Sequence, residues 1–372
     1  MSASIVIPTC AREQWLERSL VTLARNLPRS CKHNTEIVVV SNGVPDGSDQ
    51  VVQSIKSLDH SLNIRHVHEY VPGTLAARHR GAFETSGDVI CYLDDDVEVS
   101  NTWFDAIIAP LRDVSVDLVG GPCLPVFWGT PPAWLWSFFE DHSQERLLCS
   151  RLSLIDWGTE ECDVDSMLVW TQNCAIRRDS LFRLRGFHPG RFPRQIEEFQ
   201  GDEETGLSMK ITALGGRTRY APGAMIWHNV PPERMRLSYF EQRERIQGIC
   251  DSYTSIRNTG GFSISDPRTE ACNAQATPWT LRRMAQKAKA WIKRRMNRKS
   301  VVCALDSPQD VVLIEQIHEA VRAAYRAGFA FHQERARADE RLLKWILRPD
   351  YFDCYLPEEG LKALAERSAS EG

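Results

Sequence analysis

Residues 88–99 read DVICYLDDDVEV, an apolar, β-rich run that ends in three consecutive aspartates. A short apolar run of this kind predicts a buried strand over 88–93, which delivers Asp94, Asp95 and Asp96 at its end. Carboxylates packed together repel one another unless a cation neutralises them, and Mg²⁺ and Mn²⁺ take carboxylate and diphosphate oxygens as ligands. The run therefore predicts a metal–diphosphate site, although solvated acidic turns are also common after strands.

The segment before this strand alternates between strand and helix patterns. Apolar, β-branched runs predict strands at 4–7, 36–40 and 64–67. Apolar residues at helical spacing predict helices over 13–27 and 75–85, with a further helix between the second and third strands. Such alternation indicates an α/β fold with a mostly parallel sheet flanked by helices, in which ligands bind at the carboxyl ends of the strands.

The later part of the chain has mainly helical patterns. We expect one domain over 1–250 and a mainly helical C-terminal region over 251–372. Within that region, residues 279–299 contain nine Lys or Arg and no acidic residue, which predicts a basic amphipathic helix. A basic helix with Trp suits an anionic membrane surface, and a solvated helix packed on the domain by its Trp side chains is the alternative.

Composition excludes several classes of protein. The 372 residues are 42% hydrophobic and 25% charged, which is ample for a buried core. The net charge of −4 gives no basic field for nucleic acid. The eleven cysteines are scattered as singles, so neither a zinc ribbon nor a redox pair is expected. Without a signal-like or membrane-spanning apolar run, we expect a cytoplasmic protein, with peripheral attachment at the inner membrane face through the basic helix as an option.

Five segments in a fixed order carry a resemblance to a known family. They read SIVIPTCARE (4–13), EIVVVSNGVPDGS (36–48), PGTLAARHRGAFETSGDVICYLDDDVEVSNTW (72–103), NCAIRRDSLFRLRGFHPG (173–190) and GDEETGLSMKITALGGRTRYAPGAMIWHNVPPERM (201–235). Over about 4–250 the chain resembles the family 2 glycosyltransferases, which have the GT-A (Rossmann-like) fold. The resemblance implies an inverting, metal-dependent enzyme that moves a sugar from a nucleoside-diphosphate sugar to an acceptor hydroxyl, in polysaccharide or other glycoconjugate biosynthesis. It implies Mn²⁺ or Mg²⁺ as cofactor and favours a UDP-sugar as donor.

The resemblance also assigns donor and metal positions. Nucleotide-sugar binding falls on Pro8, Thr9, Arg12, Glu13, Ser41, Asn42, Gly73, Arg78, Asp94 and Asp95. Many family members carry Asp where this chain has Ser41 and Asn42, so this position departs from the pattern. Asp96 is the first choice of metal ligand, with Asp94 and His228 as the others.

The catalytic base is expected in the acidic run Asp202, Glu203 and Glu204. Alignment of the family pattern on Leu207 places the base at Glu204, whereas alignment on Gly201 places it at Glu203. Carboxylates at a helix start are also common as caps and dipole partners, which would account for one of the three acids.

Two alternatives from other classes remain at this point. A nucleotidyltransferase also combines a parallel sheet with acidic metal ligands, but it favours a glycine-rich loop near the first strand, and residues 8–12 contain no glycine. A non-catalytic sugar-binding protein could share the fold, but the two intact acidic runs argue against it. The acceptor could be a glycan, a lipid-linked molecule or a small molecule.

Overall fold

The computed structural model describes residues 1–141, 146–260 and 308–368. The chain forms two compact units, of which the first comprises 1–123, 159–228 and 344–372, and the second 124–158 and 229–343. The predicted basic helix over 279–299 lies outside the described residues. The predicted domain division at residue 250 stays a prediction.

Strands and helices of the described chain are numbered here in chain order. The strands are β1 (Ala3–Thr9), β2 (Glu36–Asn42), β3 (Asn63–Glu69), β4 (Val89–Leu93), β5 (Val97–Val99), β6 (Val116–Gly120), β7 (Cys123–Phe127), β8 (Glu140–Asp141), β9 (Leu147–Cys149), β10 (Leu154–Asp156), β11 (Cys162–Asp163), β12 (Asn173–Arg177), β13 (Arg217–Tyr220) and β14 (Ile226–Val230). The helices are α1 (Glu13–Asn26), α2 (Ser48–Leu58), α3 (Thr74–Glu84), α4 (Trp103–Ile108), α5 (Arg178–Arg183), α6 (Glu204–Ala213), α7 (Leu237–Thr259), α8 (Pro308–Ala338), α9 (Glu340–Ile346) and α10 (Glu358–Ser368). Short 3₁₀ turns connect several of them.

The first unit is built on an eight-stranded sheet in the order β11-β13-β6-β12-β4-β1-β2-β3. Strands β1, β2, β3 and β4 are parallel, which confirms the predicted α/β fold. Their apolar sequences follow from burial on both faces, as is usual for parallel sheets. The register places Thr9 opposite Ser41 and Asn42 opposite Glu69, so the carboxyl ends of these strands lie side by side.

The sheet continues beyond β4 through an antiparallel strand. Strand β12 lies between β4 and β6 and runs opposite to both, with Asn173 beside Leu93. The buried Asn173 accepts a hydrogen bond from Trp103 at 2.8 Å and donates one to the carbonyl of Ala224 at 2.8 Å. Asn173 thereby fixes the chain that leads into β14, where His228 pairs with Val97 of β5.

Helices α1 and α3 bury small or apolar residues. Helix α1 buries Leu16, Leu20 and Leu23, which recur at helical spacing. In α3, a Cβ built at Gly81 would lie 2.2 Å from Cγ1 of Val6 in β1. Gly81 therefore allows α3 to lie directly on the sheet.

Residues 344–356, here called the C-terminal segment, also belong to the first unit. Trp345 and Tyr351 are buried within it. The indole of Trp345 donates to the carbonyl of Phe199 at 3.0 Å, and the hydroxyl of Tyr351 donates to the carbonyl of Trp345 at 2.8 Å. The segment is thus anchored on the loop that precedes α6.

The second unit contains the antiparallel strands β8, β9 and β10 and the long helices α7 and α8. A Cβ at Gly248 would lie 2.1 Å from the carbonyl oxygen of Tyr325, and one at Gly328 would lie 2.0 Å from that of Arg245. The two glycines therefore let the helix backbones approach closely. None of the helices in the described ranges combines the length and the apolarity needed to cross a bilayer.

Substitution of Gly81 by Ala should destabilise the protein, because the added methyl overlaps Val6. We expect a loss of about 1–3 kcal/mol in the free energy of unfolding, measured by urea denaturation. The control is Arg80→Ala on the same helix, which removes a part-exposed ion pair to Glu84 (2.8 Å) and should cost less than about 0.5 kcal/mol. Equal midpoints for the two variants would contradict this account of the helix–sheet contact.

Candidate active site

The carboxylates that follow β4 are held by the loop that follows β1. Asp95 and Asp96 are almost fully buried, at 3% and 1% exposure. Arg12 donates to Asp95 Oδ1 and to Asp96 Oδ2, each at 2.7 Å. Thr9 donates its hydroxyl to Asp95 Oδ2 at 2.7 Å, and Ser19 of α1 donates to the backbone carbonyl of Asp95 at 2.9 Å. The segments that follow β1 and β4 are therefore joined through these side chains.

Charge and burial oppose each other in this cluster. Burial raises the pKa of Asp95, and Asp96 adds to the increase, while Arg12 and Thr9 act against it. Burial by itself lowers the pKa of Arg12, but the carboxylates of Asp96 and Asp95 outweigh burial and raise it above its ordinary value. The guanidinium is therefore the counter-charge that lets two aspartates be buried together.

His228 reaches the same cluster from β14. Its Nε2 lies 3.3 Å from Oδ2 of Asp96, and the imidazole is almost fully buried. The antiparallel pairing of β14 with β5 sets this approach, because His228 lies beside Val97, the residue after Asp96. The structure thus brings the predicted imidazole to the predicted carboxylate.

The fit of a divalent ion can be tested on these residues. Among the residues with described side chains, no group of three His, Cys, Asp or Glu is arranged to hold a metal ion. Mg²⁺ sites often use only one or two protein ligands and complete the shell with substrate phosphates and water. The close approach of Asp96 and His228 fits such a partial set, whereas Asp94 lies 3.6 Å from Arg78.

A buried arginine joins the two acidic runs. Arg78 of α3 is only 3% exposed. Its Nη2 lies 3.6 Å from Asp94 Oδ1, while its Nη1 lies 3.5 Å from Glu203 Oε2 and 4.0 Å from Glu204 Oε2. Its guanidinium also lies over the ring of Phe187, 5.8 Å from the centroid. Acidic segments that are far apart in sequence therefore share one counter-charge.

Glu203 is held in a strained position just before α6. Its φ of 48° is in the left-handed region, which is uncommon for a residue with a side chain. A Cβ at Gly190 would lie 1.9 Å from Glu203 Cγ, so only glycine fits there. Besides Arg78, Arg191 approaches the carboxylate at 3.4 Å and Thr74 donates to it at 3.5 Å. Strain of this kind is typical of functional sites.

The two other acids of this run have different surroundings. Glu204, the first residue of α6, keeps 27% of its side chain exposed. Burial raises its pKa, the neighbouring Glu203 adds to the increase, and Arg78 opposes it. Asp202 is buried, with Oδ1 at 2.6 Å from Nδ1 of His188.

The other predicted donor residues hold the loops around this site. Ser41 Oγ lies 2.8 Å from both His66 Nε2 and His68 Nδ1. Asn42 Oδ1 accepts a hydrogen bond from the amide of Gly73 at 2.7 Å. Gly73 has a φ of +113°, which favours glycine, and it opens the helix that carries Arg78.

The loops after β1 and β2 are tied together in the same way. Glu13 accepts a hydrogen bond from the amide of Gly47 at 2.9 Å, and Asp46 accepts one from the amide of Ala11 at 2.7 Å. Pro8 is buried near the end of β1. In the described part of the chain, Glu13 and Asp46 bind backbone amides. Contact of Pro8 and Glu13 with a nucleotide stays a prediction.

Sequence reasoning missed several residues that shape the site. Residues His66 and His68 alternate along β3 and so share a face, which a strand pattern could have indicated. His188 and Arg191 lie in or beside a segment that carried the family resemblance, yet nothing in the residue pattern pointed to Asp202 or Glu203 as their partners. Contacts of this kind arise from the tertiary fold.

The architecture is that of the GT-A glycosyltransferases. A solved structure of the mannosyltransferase PcManGT from Pyrobaculum calidifontis, in complex with GDP-Man and Mn²⁺, matches it at a TM-score of 0.50 and 17% identity, over 91% of this chain and 88% of that one. This likeness shows the fold.

Sequence comparison finds similarity to glycosyltransferases. The sequence model described as "Glycosyl transferase family 2" matches residues 4–169. The succinoglycan biosynthesis protein ExoM of Rhizobium meliloti (strain 1021) is 24% identical over 278 residues, covering 73% of this chain and 83% of that protein. The pre-mycofactocin glycosyltransferase of Mycobacterium tuberculosis (strain CDC 1551 / Oshkosh) is 24% identical over 320 residues, covering 84% of this chain but only 60% of that protein. Residues 4–169 thus match a family of glycosyltransferases, and the chain is identified as a glycosyltransferase by this similarity.

Substitution of Arg12 by Gln should destabilise the folded protein, because Asp95 and Asp96 would lose their counter-charge while staying buried. We expect a loss of about 2–4 kcal/mol, measured by urea denaturation at pH 8. Arg18→Gln is the matched control, since Arg18 forms a more exposed pair with Glu98 at 2.8 Å and should cost less than about 1 kcal/mol. If both variants unfold at the same midpoint, the two aspartates do not depend on Arg12.

Proposed function

We propose that this glycosyltransferase is metal-dependent and inverting, and that it moves a sugar from a nucleoside-diphosphate sugar to an acceptor hydroxyl. One observation carries the proposal. Arg78 lies within 4.0 Å of the carboxylates of Asp94, Glu203 and Glu204. The run Asp94–Asp96, which suits a metal bound to a diphosphate, therefore lies next to the run 202–204, which suits a proton acceptor. Displacement of a diphosphate by a hydroxyl requires both groups at one site.

The donor side of the site is proposed at the carboxyl ends of β1, β2 and β4. The residues proposed to bind the nucleotide sugar are Pro8, Thr9, Arg12, Glu13, Ser41, Asn42, Gly73, Arg78, Asp94 and Asp95. Ligands of open α/β sheets bind at this edge, which supports the assignment. A UDP-sugar is the favoured donor by family resemblance, although PcManGT was crystallised with GDP-Man.

A divalent ion, Mn²⁺ or Mg²⁺, is proposed to be held by Asp96 and His228, with Asp94 as a further candidate. When bound, such an ion supplies charge stabilisation to the departing diphosphate. The chain's own contribution is the burial of Asp96, which fixes the carboxylate beside His228 at 3.3 Å. Arg12 donates a hydrogen bond to Oδ2 of Asp96 at 2.7 Å, and its guanidinium is proposed to contact the diphosphate as well.

Glu204 is the proposed catalytic base. Glu203 is surrounded by Arg78, Arg191 and Thr74, which occupy both of its carboxylate oxygens. The Glu204 carboxylate lies farther from Arg78, at 4.0 Å, and burial raises its pKa, which suits a proton acceptor. In this arrangement Glu204 takes the proton of the acceptor hydroxyl as that hydroxyl attacks the anomeric carbon. Attack opposite the leaving diphosphate inverts the anomeric configuration.

The similarity of residues 4–169 to the family 2 glycosyltransferases argues against both the nucleotidyltransferase and the non-catalytic alternative. The acceptor is proposed only as a class: a glycan, a lipid-linked molecule or a small molecule with a hydroxyl. A cytoplasmic location, and peripheral membrane contact through residues 279–299, stay predictions, because that segment lies outside the described residues.

Donor choice and metal dependence are tested together by thermal shift. The protein is heated with UDP-glucose, UDP-galactose, UDP-GlcNAc, GDP-mannose or dTDP-glucose, each with Mn²⁺ and with EDTA. A ligand that binds the folded state raises Tm, so we expect one nucleotide class to raise Tm with Mn²⁺ and to do so much less with EDTA. Release of nucleoside diphosphate from that donor then reports turnover. No shift and no release with any donor would contradict the proposed function.

Glu204→Gln should lower the rate of transfer about 10²- to 10⁴-fold, because the amide cannot accept the hydroxyl proton. Donor binding in the presence of Mn²⁺ should stay near the wild-type value. Glu203→Gln is the matched comparison, and it should reduce stability more than it reduces turnover, since Arg78 and Arg191 lose a shared partner. Wild-type turnover by Glu204→Gln would exclude Glu204 as the base.

A further inference from the structure

We propose that His188 and Asp202 form a buried positioning pair that fixes Glu204, and that Tyr351 and Trp345 hold this pair in place. The inference rests on the proposed function, because it concerns the residue proposed as the base. Within it, Asp202 is a positioning residue, since its carboxylate is engaged by an imidazole in the protein interior.

The pair closes the loop between helices α5 and α6. His188 Nδ1 and Asp202 Oδ1 are 2.6 Å apart, and both side chains are at most 5% exposed. Backbone bonds reinforce the closure, since the amide of His188 donates to the carbonyl of Glu203 at 3.1 Å and that of Gly201 donates to Pro189 at 3.0 Å. Any displacement of Asp202 is therefore passed directly to Glu203 and to the first residue of α6.

The first turn of α6 is shaped to receive the imidazole. A Cβ at Gly206 would lie 2.0 Å from Nδ1 and 2.3 Å from Cε1 of His188. Only a residue without a side chain leaves room for the ring at this distance. The helix that begins with Glu204 is therefore seated against His188 as well as bonded to it through Asp202.

The C-terminal segment supports the imidazole from another side. Tyr351 is fully buried, and its ring meets that of His188 edge-on, with 5.7 Å between centroids. The Tyr351 hydroxyl donates to the Trp345 carbonyl at 2.8 Å, and the Trp345 indole donates to the Phe199 carbonyl at 3.0 Å. Two points of the loop, Phe199 and His188, are thus fixed by residues that follow much later in the chain.

Precise placement is what a base requires. A proton acceptor must come within about 2.6–3.2 Å of the hydroxyl it deprotonates. A misplacement of about 1 Å can cost about 10²-fold in rate. Loss of the His188–Asp202 contact should therefore reduce turnover while the donor site, built on Arg12 and the residues after β4, is left intact.

The test uses the full chain and the donor identified by thermal shift. The variants are Asp202→Leu, which keeps a similar volume without a hydrogen-bond acceptor, His188→Phe, which keeps a ring, and Gly206→Ala, which displaces the imidazole. We measure the rate of nucleoside diphosphate release at saturating donor, and the stoichiometry and Kd of nucleoside diphosphate with Mn²⁺ by calorimetry. For each variant we expect kcat to fall about 10- to 100-fold. The KM for the donor, and the Kd and stoichiometry of nucleoside diphosphate binding, should stay unchanged.

Ser208→Ala is the matched control. Ser208 lies on the same helix and donates to the carbonyl of Ser166 at 3.0 Å, so its loss should lower Tm and leave kcat per bound nucleotide unchanged. The double variant His188→Phe/Asp202→Leu should be no slower than the slower single variant, because both substitutions remove the same contact.

The inference is overturned if Asp202→Leu turns over at the wild-type rate. It is also overturned if the fractional loss of rate equals the fraction of protein that no longer binds nucleotide, because misfolding alone would then explain the lower rate. Should His188→Phe fold poorly, the Asp202→Leu variant, which keeps a similar volume, still decides the question. A wild-type protein that releases no nucleoside diphosphate from any donor is a different result, since it removes the proposed function and this inference falls with it.

Discussion

Burial of carboxylates against arginine is the constraint on which this site depends. Two arginines, Arg12 and Arg78, hold acidic side chains from the end of β4 and from the start of α6. Buried charge without a partner is strongly destabilising, so each guanidinium has to be delivered accurately. The loop after β1 delivers Arg12, and the seating of α3 on β1 at Gly81 delivers Arg78. The fold of the backbone therefore determines whether the buried carboxylates have their counter-charges.

The division of labour between the two arginines follows from their surroundings. Arg12 is about one-third exposed and contacts the two buried aspartates at hydrogen-bond distance. Arg78 is almost fully buried, and its contacts to three carboxylates are longer, between 3.5 and 4.0 Å. Arg12 thus compensates charge on the side proposed for the diphosphate. Arg78 links that side to the proposed base.

Local patterns in the sequence were enough to predict the parallel sheet and the acids at its edge. Strand β4 and the run Asp94–Asp96 are contiguous, and the carboxyl ends of parallel strands must lie together. Sequence could not decide between Glu203 and Glu204, because the difference depends on a left-handed backbone at Glu203 and on its long-range contact with Arg191. The division into two discontinuous units could not be predicted from the sequence either, because the segment that begins at Lys344 joins the first unit through tertiary contacts.

The return of the C-terminal segment has a consequence for biogenesis. Translation releases the strands of the large sheet well before it releases Trp345 and Tyr351, and domains fold as their parts emerge. A nascent chain can therefore complete its sheet while Phe199 and His188 still lack the partners that the finished molecule gives them. The carboxyl edge of the sheet is therefore assembled first, and the loop that carries Glu203 and Glu204 gains its last supports only after residue 351 has been synthesised.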